Sequence, residues 1–296
     1  MNDRPALVAC DLDGTLFGDD GAPAPGVVEA VAELTAAAVR VVICTGRTAG
    51  ATRAAAARLG LERGWAISYH GAVVVDLADG AWRQRLDLLR QAVGPIVATL
   101  HDAGATLTAY VDDERWVQGD PGPAALAGAA PAGGALPLGV RRFTDLAAAL
   151  EGRPVTRIIA EAGAAELGAG PHEPLASVLA ALAARWPELA VSAAPGGRCE
   201  VHHARADKRT ALAALCGRLG VPPSAVVACG DGAVDTGMIG WAGLGVAIAE
   251  GHEAAAAVAD RVVARGDLAG LLTSLARAPA GRHGDDPATW RSPARA

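Results

Sequence analysis

Residues 11–16 read Asp11-Leu12-Asp13-Gly14-Thr15-Leu16 and directly follow the apolar run Ala6-Leu7-Val8-Ala9-Cys10. Such a run is typical of a strand that is buried on both faces. Because side chains two apart on an extended backbone point to the same side, both carboxylates can face one reacting group. Their mutual repulsion is relieved by a bound cation or a shared proton. The stretch therefore predicts a metal-dependent site, and a simple capped turn is the structural alternative.

Helical and strand patterns alternate after this hexapeptide. Residues 27–38 have the spacing of a helix, and residues 39–44 read as a second buried strand. An Ala/Arg helix, a strand at 65–69 and a hairpin follow. Strand, helix and strand in succession predict a parallel sheet of the α/β class. The same pattern resumes with a helix at 207–219, a buried strand at 226–229 and short strands near 244–248 and 261–263.

The middle of the chain has a different element order, which predicts a second domain. We expect a discontinuous core at residues 1–86 and 200–278 and an inserted α/β domain at 87–199. An Ala/Gly/Pro stretch at 121–137 within the insert predicts a mobile loop. The polar residues 279–296 predict a disordered tail.

Composition excludes several classes of protein. The 296 residues carry a net charge of −6 and contain no run of Lys or Arg, so nucleic acid is not an expected partner. The five cysteines are far apart and lack the paired spacing of zinc sites, which favours a reducing compartment. We find neither a signal peptide nor an apolar run of the ~20 residues that a membrane span needs, and we expect a cytoplasmic monomer or homodimer.

Polar residues also follow later elements of the predicted core. Thr45-Gly46 comes directly after the second strand, where a hydroxyl and backbone N–H groups can hold an anion. Lys208 lies at a helix start beside the expected cap Asp207, where the helix dipole also favours an anion. Asp231 and Asp235 follow another buried strand, and their hard oxygen ligands suit Mg²⁺.

The order of these motifs resembles that of the haloacid dehalogenase (HAD) superfamily, which carries Asp-x-Asp-Gly-Thr after the first core strand. The insert falls between the second and third motifs, as in the Cof-like branch. This resemblance implies a Rossmann-like parallel-sheet core with a smaller α/β cap domain. It covers roughly residues 5 to 277.

The same resemblance assigns roles to individual residues. Asp11 and Asp13 are implied as the catalytic nucleophile and the general acid/base. Phosphate binding is implied for Thr45, Gly46 and Lys208. The implied ligands of Mg²⁺ are Asp11, the backbone carbonyl of Asp13, Asp231 and Asp235, the last either directly or through a water molecule.

Three positions depart from the family pattern. Val234 and His70 each stand where asparagine is usual, and Glu250-Gly251-His252 stands where Asn-Ala is common. We expect a phosphatase for a small soluble phosphate ester, with a sugar phosphate as the expected substrate. A phosphomutase of the same cap class and a weakened phosphate-binding or regulatory module remain the alternatives, because a fold does not fix a function.

Overall fold

The computed structural model describes residues 3–119, 139–161, 173–194 and 198–280. The chain divides into a core unit, Met1–Arg83 with Asp207–Ala296, and a cap unit, Gln84–Ala206. The predicted loop at 121–137 lies outside the described residues, as does nearly all of the predicted tail. No helix within the described ranges is both long enough and apolar enough to cross a bilayer.

Strands and helices are numbered here along the chain. The strands are β1 Leu7–Cys10, β2 Arg40–Cys44, β3 Trp65–Ser68, β4 Val73–Asp76, β5 Trp82–Arg85, β6 Thr106–Val111, β7 Glu114–Gln118, β8 Val140–Arg142, β9 Arg157–Glu161, β10 Leu189–Ala194, β11 Arg198–His203, β12 Val226–Gly230, β13 Leu244–Ile248 and β14 Arg261–Val263. The helices are α1 Val27–Ala36, α2 Ala49–Arg58, α3 Arg90–Asp102, α4 Leu146–Ala149, α5 Glu173–Arg185, α6 Lys208–Leu219, α7 Thr236–Trp241, α8 Glu253–Val258 and α9 Leu268–Arg277.

The core unit is built on a sheet whose described strands run in the order β14-β13-β12-β1-β2-β3-β4-β5. Both faces of β1 are buried: Val8 and Cys10 join the apolar cluster that includes α1 and α9, whereas Leu7 and Ala9 join the cluster that includes α6. This explains why β1 reads as a continuous apolar run. Cys10 is paired in parallel with Ile43 of β2 and with Cys229 of β12. The carboxyl ends of these three strands therefore meet at one edge of the sheet.

The cap unit contains a second sheet, whose described strands run in the order β10-β11-β9-β6-β7-β8. Its pairs are antiparallel except for β7 with β8. Residues from α3, α4 and α5 pack on one face, against alternate residues of β6 such as Leu107 and Ala109. On β9 of this sheet, the buried guanidinium of Arg157 lies 4.5 Å from the Tyr110 ring centroid and 3.5 Å from Glu200.

The α/β class, the parallel core sheet and the smaller α/β unit predicted from the sequence are confirmed. The predicted helix at 207–219 begins one residue later, at Lys208, because Asp207 is its cap and accepts a hydrogen bond from Thr210 N at 2.8 Å. The sequence reading missed β8 and α4. All three residues of β8 are exposed, so the strand carries no apolar alternation.

Candidate active site

Asp11 extends β1 by one residue, since its backbone N–H donates to Cys229 O at 2.9 Å. Its side chain is only 9% exposed. Burial raises the pKa of the Asp11 carboxyl to about 7, and Lys208 opposes that rise. Lys208 therefore keeps the ionised form of Asp11 accessible near neutral pH, and in this form the carboxylate is available as a nucleophile.

Lys208 is the first residue of α6 and is buried. Its Nζ lies 2.5 Å from Asp11 Oδ1 and 2.6 Å from Asp235 Oδ1. Burial alone lowers the pKa of an ammonium, but these two carboxylates outweigh it and raise the pKa of Lys208 above its usual value. The lysine is therefore a permanent buried cation that joins two of the predicted site residues.

Three carboxylates converge beside this lysine. Asp11, Asp231 and Asp235 each offer one oxygen, and these oxygens lie within 4.8 Å of one another. Thr15 Oγ1 donates to Asp231 Oδ1 at 2.9 Å, and Gly232 N donates to Asp235 Oδ2 at 2.9 Å. Each of these two carboxylates thus has an oxygen held by a neutral donor, which fixes its orientation.

Gly14 is the residue that allows this close approach. Its φ is +88°, and a Cβ at this position would lie 2.3 Å from Asp231 Oδ2. Any larger residue would clash with the Asp231 carboxylate and force it to shift.

This donor set fits a divalent cation of the Mg²⁺ type. All three groups are hard oxygen ligands, and one buried lysine does not neutralise three carboxylates. The carboxylate of Asp13, by contrast, is not part of the cluster, so Asp13 is a candidate ligand only through its backbone carbonyl.

Asp13 instead forms a bidentate ion pair with Arg47. Arg47 Nε donates to Asp13 Oδ2 at 2.9 Å, and Arg47 Nη2 donates to Asp13 Oδ1. The Asp13 side chain is 55% exposed and that of Arg47 is 20% exposed. The sequence analysis predicted a role only for the backbone N–H groups after Thr45 and missed this contact of the Arg47 side chain. The position of Arg47 directly after Thr45-Gly46 was the sequence feature that could have indicated a role for its side chain.

Thr45 and Gly46 lie where predicted, directly after β2. Thr45 is buried, and its Oγ1 accepts a hydrogen bond from Arg47 N at 3.2 Å. His70 N donates to Thr45 O at 3.0 Å, and a Cβ on Gly46 would lie 2.3 Å from the His70 ring. The loop after β2 is therefore packed tightly against His70.

Comparison with known proteins agrees with this geometry. Residues 8–275 match the family of haloacid dehalogenase-like hydrolases. The chain belongs to this family. It is 28% identical over 272 residues to a phosphoglycolate phosphatase of Methanopyrus kandleri, covering 91% of this chain and 95% of that protein. The phosphatase class predicted from the sequence is confirmed.

Solved HAD structures share the fold. A HAD-like hydrolase from Bacteroides thetaiotaomicron superposes with a TM-score of 0.78 at 22% identity, covering 93% of this chain and 99% of that one. A sugar phosphatase of HAD subclass IIB superposes with a TM-score of 0.72 at 16% identity, covering 92% and 98%. These likenesses extend over both the core unit and the cap unit.

The positions that depart from the HAD pattern have definite structural settings. His70 has a φ of 54°, in the left-handed region that Asn and His enter more readily than most residues, which explains how a histidine fits here. The Val234 side chain is exposed.

The segment at 250–252 has two contacts of its own. His252 N donates to Asp231 O at 2.7 Å, and Glu250 Oε2 accepts from Arg265 N at 3.0 Å. The segment at 250–252 thus supports the Asp231 loop.

Proposed function

We propose that the protein is a Mg²⁺-dependent phosphatase that hydrolyses a small phosphate monoester through an aspartyl-phosphate intermediate on Asp11. The observation that carries this proposal is the contact of buried Asp11 with Lys208 inside the cluster of Asp11, Asp231 and Asp235. A nucleophile, a fixed cation and a set of metal ligands are thereby combined at one strand end.

In the first half-reaction, a carboxylate oxygen of Asp11 attacks phosphorus and forms an acyl phosphate while the bond from phosphorus to the ester oxygen breaks. Protonated Asp13 gives its proton to the departing alkoxide, which leaves as an alcohol. Lys208 and the backbone N–H groups after Thr45 stabilise the phosphoryl oxygens. Each group acts mainly by position and charge, as phosphoryl transfer requires.

In the second half-reaction, the Asp13 carboxylate takes a proton from water, and the resulting nucleophile attacks phosphorus. The bond from phosphorus to Asp11 breaks, which releases inorganic phosphate and restores the carboxylate. Asp11, Asp231, Asp235 and the Asp13 carbonyl would hold Mg²⁺, which would supply positive charge to offset the negative charge of the phosphoryl group. Arg47 holds Asp13 between the two proton transfers.

A sugar phosphate is the proposed substrate class. The sugar phosphatase of subclass IIB shares both units of the fold, and the chain includes a cap unit of 123 residues, from Gln84 to Ala206. Because the chain is similar to a phosphoglycolate phosphatase of Methanopyrus kandleri, 2-phosphoglycolate is the second substrate to test. Sugar phosphates and 2-phosphoglycolate are both small, soluble phosphate monoesters.

Phosphate release from such a panel, with Mg²⁺ and after chelation, tests the proposal. We expect turnover that chelation removes, and a fall of more than about 1,000-fold in kcat for Asp11→Asn, because a covalent nucleophile is lost. Asp20→Asn, which alters an exposed aspartate of the same unit, is the matched control. Full activity in Asp11→Asn would refute the proposal. Transfer of phosphate to a second sugar hydroxyl instead of water would identify a phosphomutase.

A further inference from the structure

Arg265 connects the region that follows β14 to the motif that follows β1. It is half-buried, and its Nε donates to the carbonyl oxygen of Gly14 at 2.9 Å. The Gly14 carbonyl belongs to the peptide unit between Gly14 and Thr15, and Asp13 directly precedes Gly14, so this hydrogen bond acts on the backbone between the two side chains. No motif found in the sequence contains Arg265.

Two further contacts hold Arg265 in this orientation. Glu250 Oε2 accepts a hydrogen bond from the Arg265 backbone N–H at 3.0 Å, and this hydrogen bond lowers the pKa of Glu250. Arg265 Nη1 lies 3.1 Å from Asp19 Oδ1. The Asp19 side chain is 92% exposed, so solvent screens this ion pair. The hydrogen bond to Gly14 is therefore the contact with the larger expected effect.

We propose that Arg265 is a positioning residue for catalysis. By fixing the Gly14 peptide it orients Asp13 on one side and, on the other, Thr15, whose hydroxyl holds Asp231. The inference rests on the proposed roles of Asp13 and Asp231. We attribute this positioning to the hydrogen bond that Nε donates and not to the charge of the guanidinium.

Three substitutions separate these contributions. Arg265→Met removes the donor, whereas Arg265→Gln places an amide nitrogen the same number of bonds from Cα as Nε and removes the charge together with the two Nη nitrogens, one of which contacts Asp19. Asp19→Asn removes the charge of the ion-pair partner.

The expected kinetic results differ among these variants. With glucose 6-phosphate we expect kcat to fall about tenfold in Arg265→Met, with KM within about twofold of wild type. In Arg265→Gln and Asp19→Asn we expect kcat to stay within about twofold of wild type. Arg277→Met, which breaks a surface ion pair with Glu33, is the control.

The leaving group provides a readout that a merely structural role would not change. p-Nitrophenolate departs without a proton, so the loss of kcat/KM in Arg265→Met is expected to be smaller with p-nitrophenyl phosphate than with glucose 6-phosphate. Equal losses with the two esters, an Arg265→Gln variant as impaired as Arg265→Met, or a fully active Arg265→Met would each overturn the inference. If Arg265→Met does not fold, Arg265→Lys replaces it and must have a lower kcat than Arg265→Gln.

Calorimetric titration with Mg²⁺ tests the inference without turnover. Because the Gly14 peptide also places Thr15 and through it Asp231, the Mg²⁺ dissociation constant is expected to increase at least about threefold in Arg265→Met and to stay at the wild-type value in Arg265→Gln. Equal affinities in the two variants would contradict the inference. Inactivity of the wild-type enzyme toward every ester would instead count against the proposed function, and this titration would still decide the role of Arg265.

Discussion

Lys208 Nζ lies 2.5 Å from Asp11 Oδ1, although 197 residues separate the two in the sequence. Lys208 begins α6, whereas Asp11 follows β1 at the centre of the core sheet. Both side chains are less than one tenth exposed. A buried ion pair of this kind is costly to form, and breaking it costs more because one charge is left without a partner. The pair therefore links the stability of the core unit to its proposed chemistry.

Lys208→Met should destabilise the protein by about 3–5 kcal/mol at pH 8 without metal, because Asp11 and Asp235 remain buried without their cation. The destabilisation should be smaller at pH 5.5, because burial raises the pKa of Asp11, and without Lys208 this carboxyl takes up a proton more readily in the folded state than in the unfolded state. Urea denaturation at the two pH values measures both effects. Arg209→Met, at the exposed neighbouring position on α6, is the control and should change stability little.

Mg²⁺ binding should weaken as pH falls through 7. Burial raises the pKa of Asp11 to about 7 in the metal-free protein, so a proton competes with the cation for this carboxylate. Between pH 8 and pH 6 the ionised fraction falls about tenfold, and the apparent dissociation constant should rise by the same factor. Calorimetric titration at several pH values measures this change. Asp11→Asn should bind more weakly but lose this pH dependence; an unchanged slope in that variant would assign the titration to another group.

Thr15→Val should weaken Mg²⁺ binding about tenfold, because the hydroxyl that holds Asp231 Oδ1 is lost while the shape of the side chain is kept. Thr15→Ser retains the hydroxyl and should bind Mg²⁺ within about twofold of wild type. Calorimetric titration measures both constants. Equal affinities for the Val and Ser variants would show that the hydrogen bond does not orient the carboxylate.

The strand ends that carry the site could be predicted from the sequence for a simple reason. Strands of a parallel sheet are buried on both faces, so β1, β2 and β12 read as continuous apolar runs with polar residues directly after them. Parallel strands also bring their carboxyl ends to one edge, which makes Asp11 and Asp231 neighbours. The sheet topology thus brings Asp11 close to Asp231, whereas Asp235 is placed by the turn that follows β12, in which Gly232 N donates to its Oδ2.

The partners of individual side chains could not be predicted in this way. Arg47 and Arg265 are long side chains whose direction depends on the tertiary placement of the elements around them. Arg265 contacts Gly14 across 251 positions and belongs to no motif. The strand β8 was missed because its three residues are exposed, so neither burial nor alternation marks it. In all three instances the structure depends on a contact with residues remote in the sequence: Arg47 with Asp13, Arg265 with Gly14, and β8 with β7.

Arg47→Lys should lower kcat/KM about tenfold, although it keeps the positive charge. Lysine cannot reproduce the planar fork whose two nitrogens contact both oxygens of Asp13, so the proposed acid/base loses its fixed orientation. Arg58→Lys is the matched control. Both guanidinium groups lie over the Phe17 ring, at 5.4 Å from its centroid for Arg47 and 4.9 Å for Arg58, but Arg58 contacts Gly21 O rather than Asp13. Steady-state kinetics with glucose 6-phosphate measure both variants. If Arg47→Lys keeps the wild-type kcat/KM, the charge of residue 47 suffices and the bidentate geometry has no catalytic role.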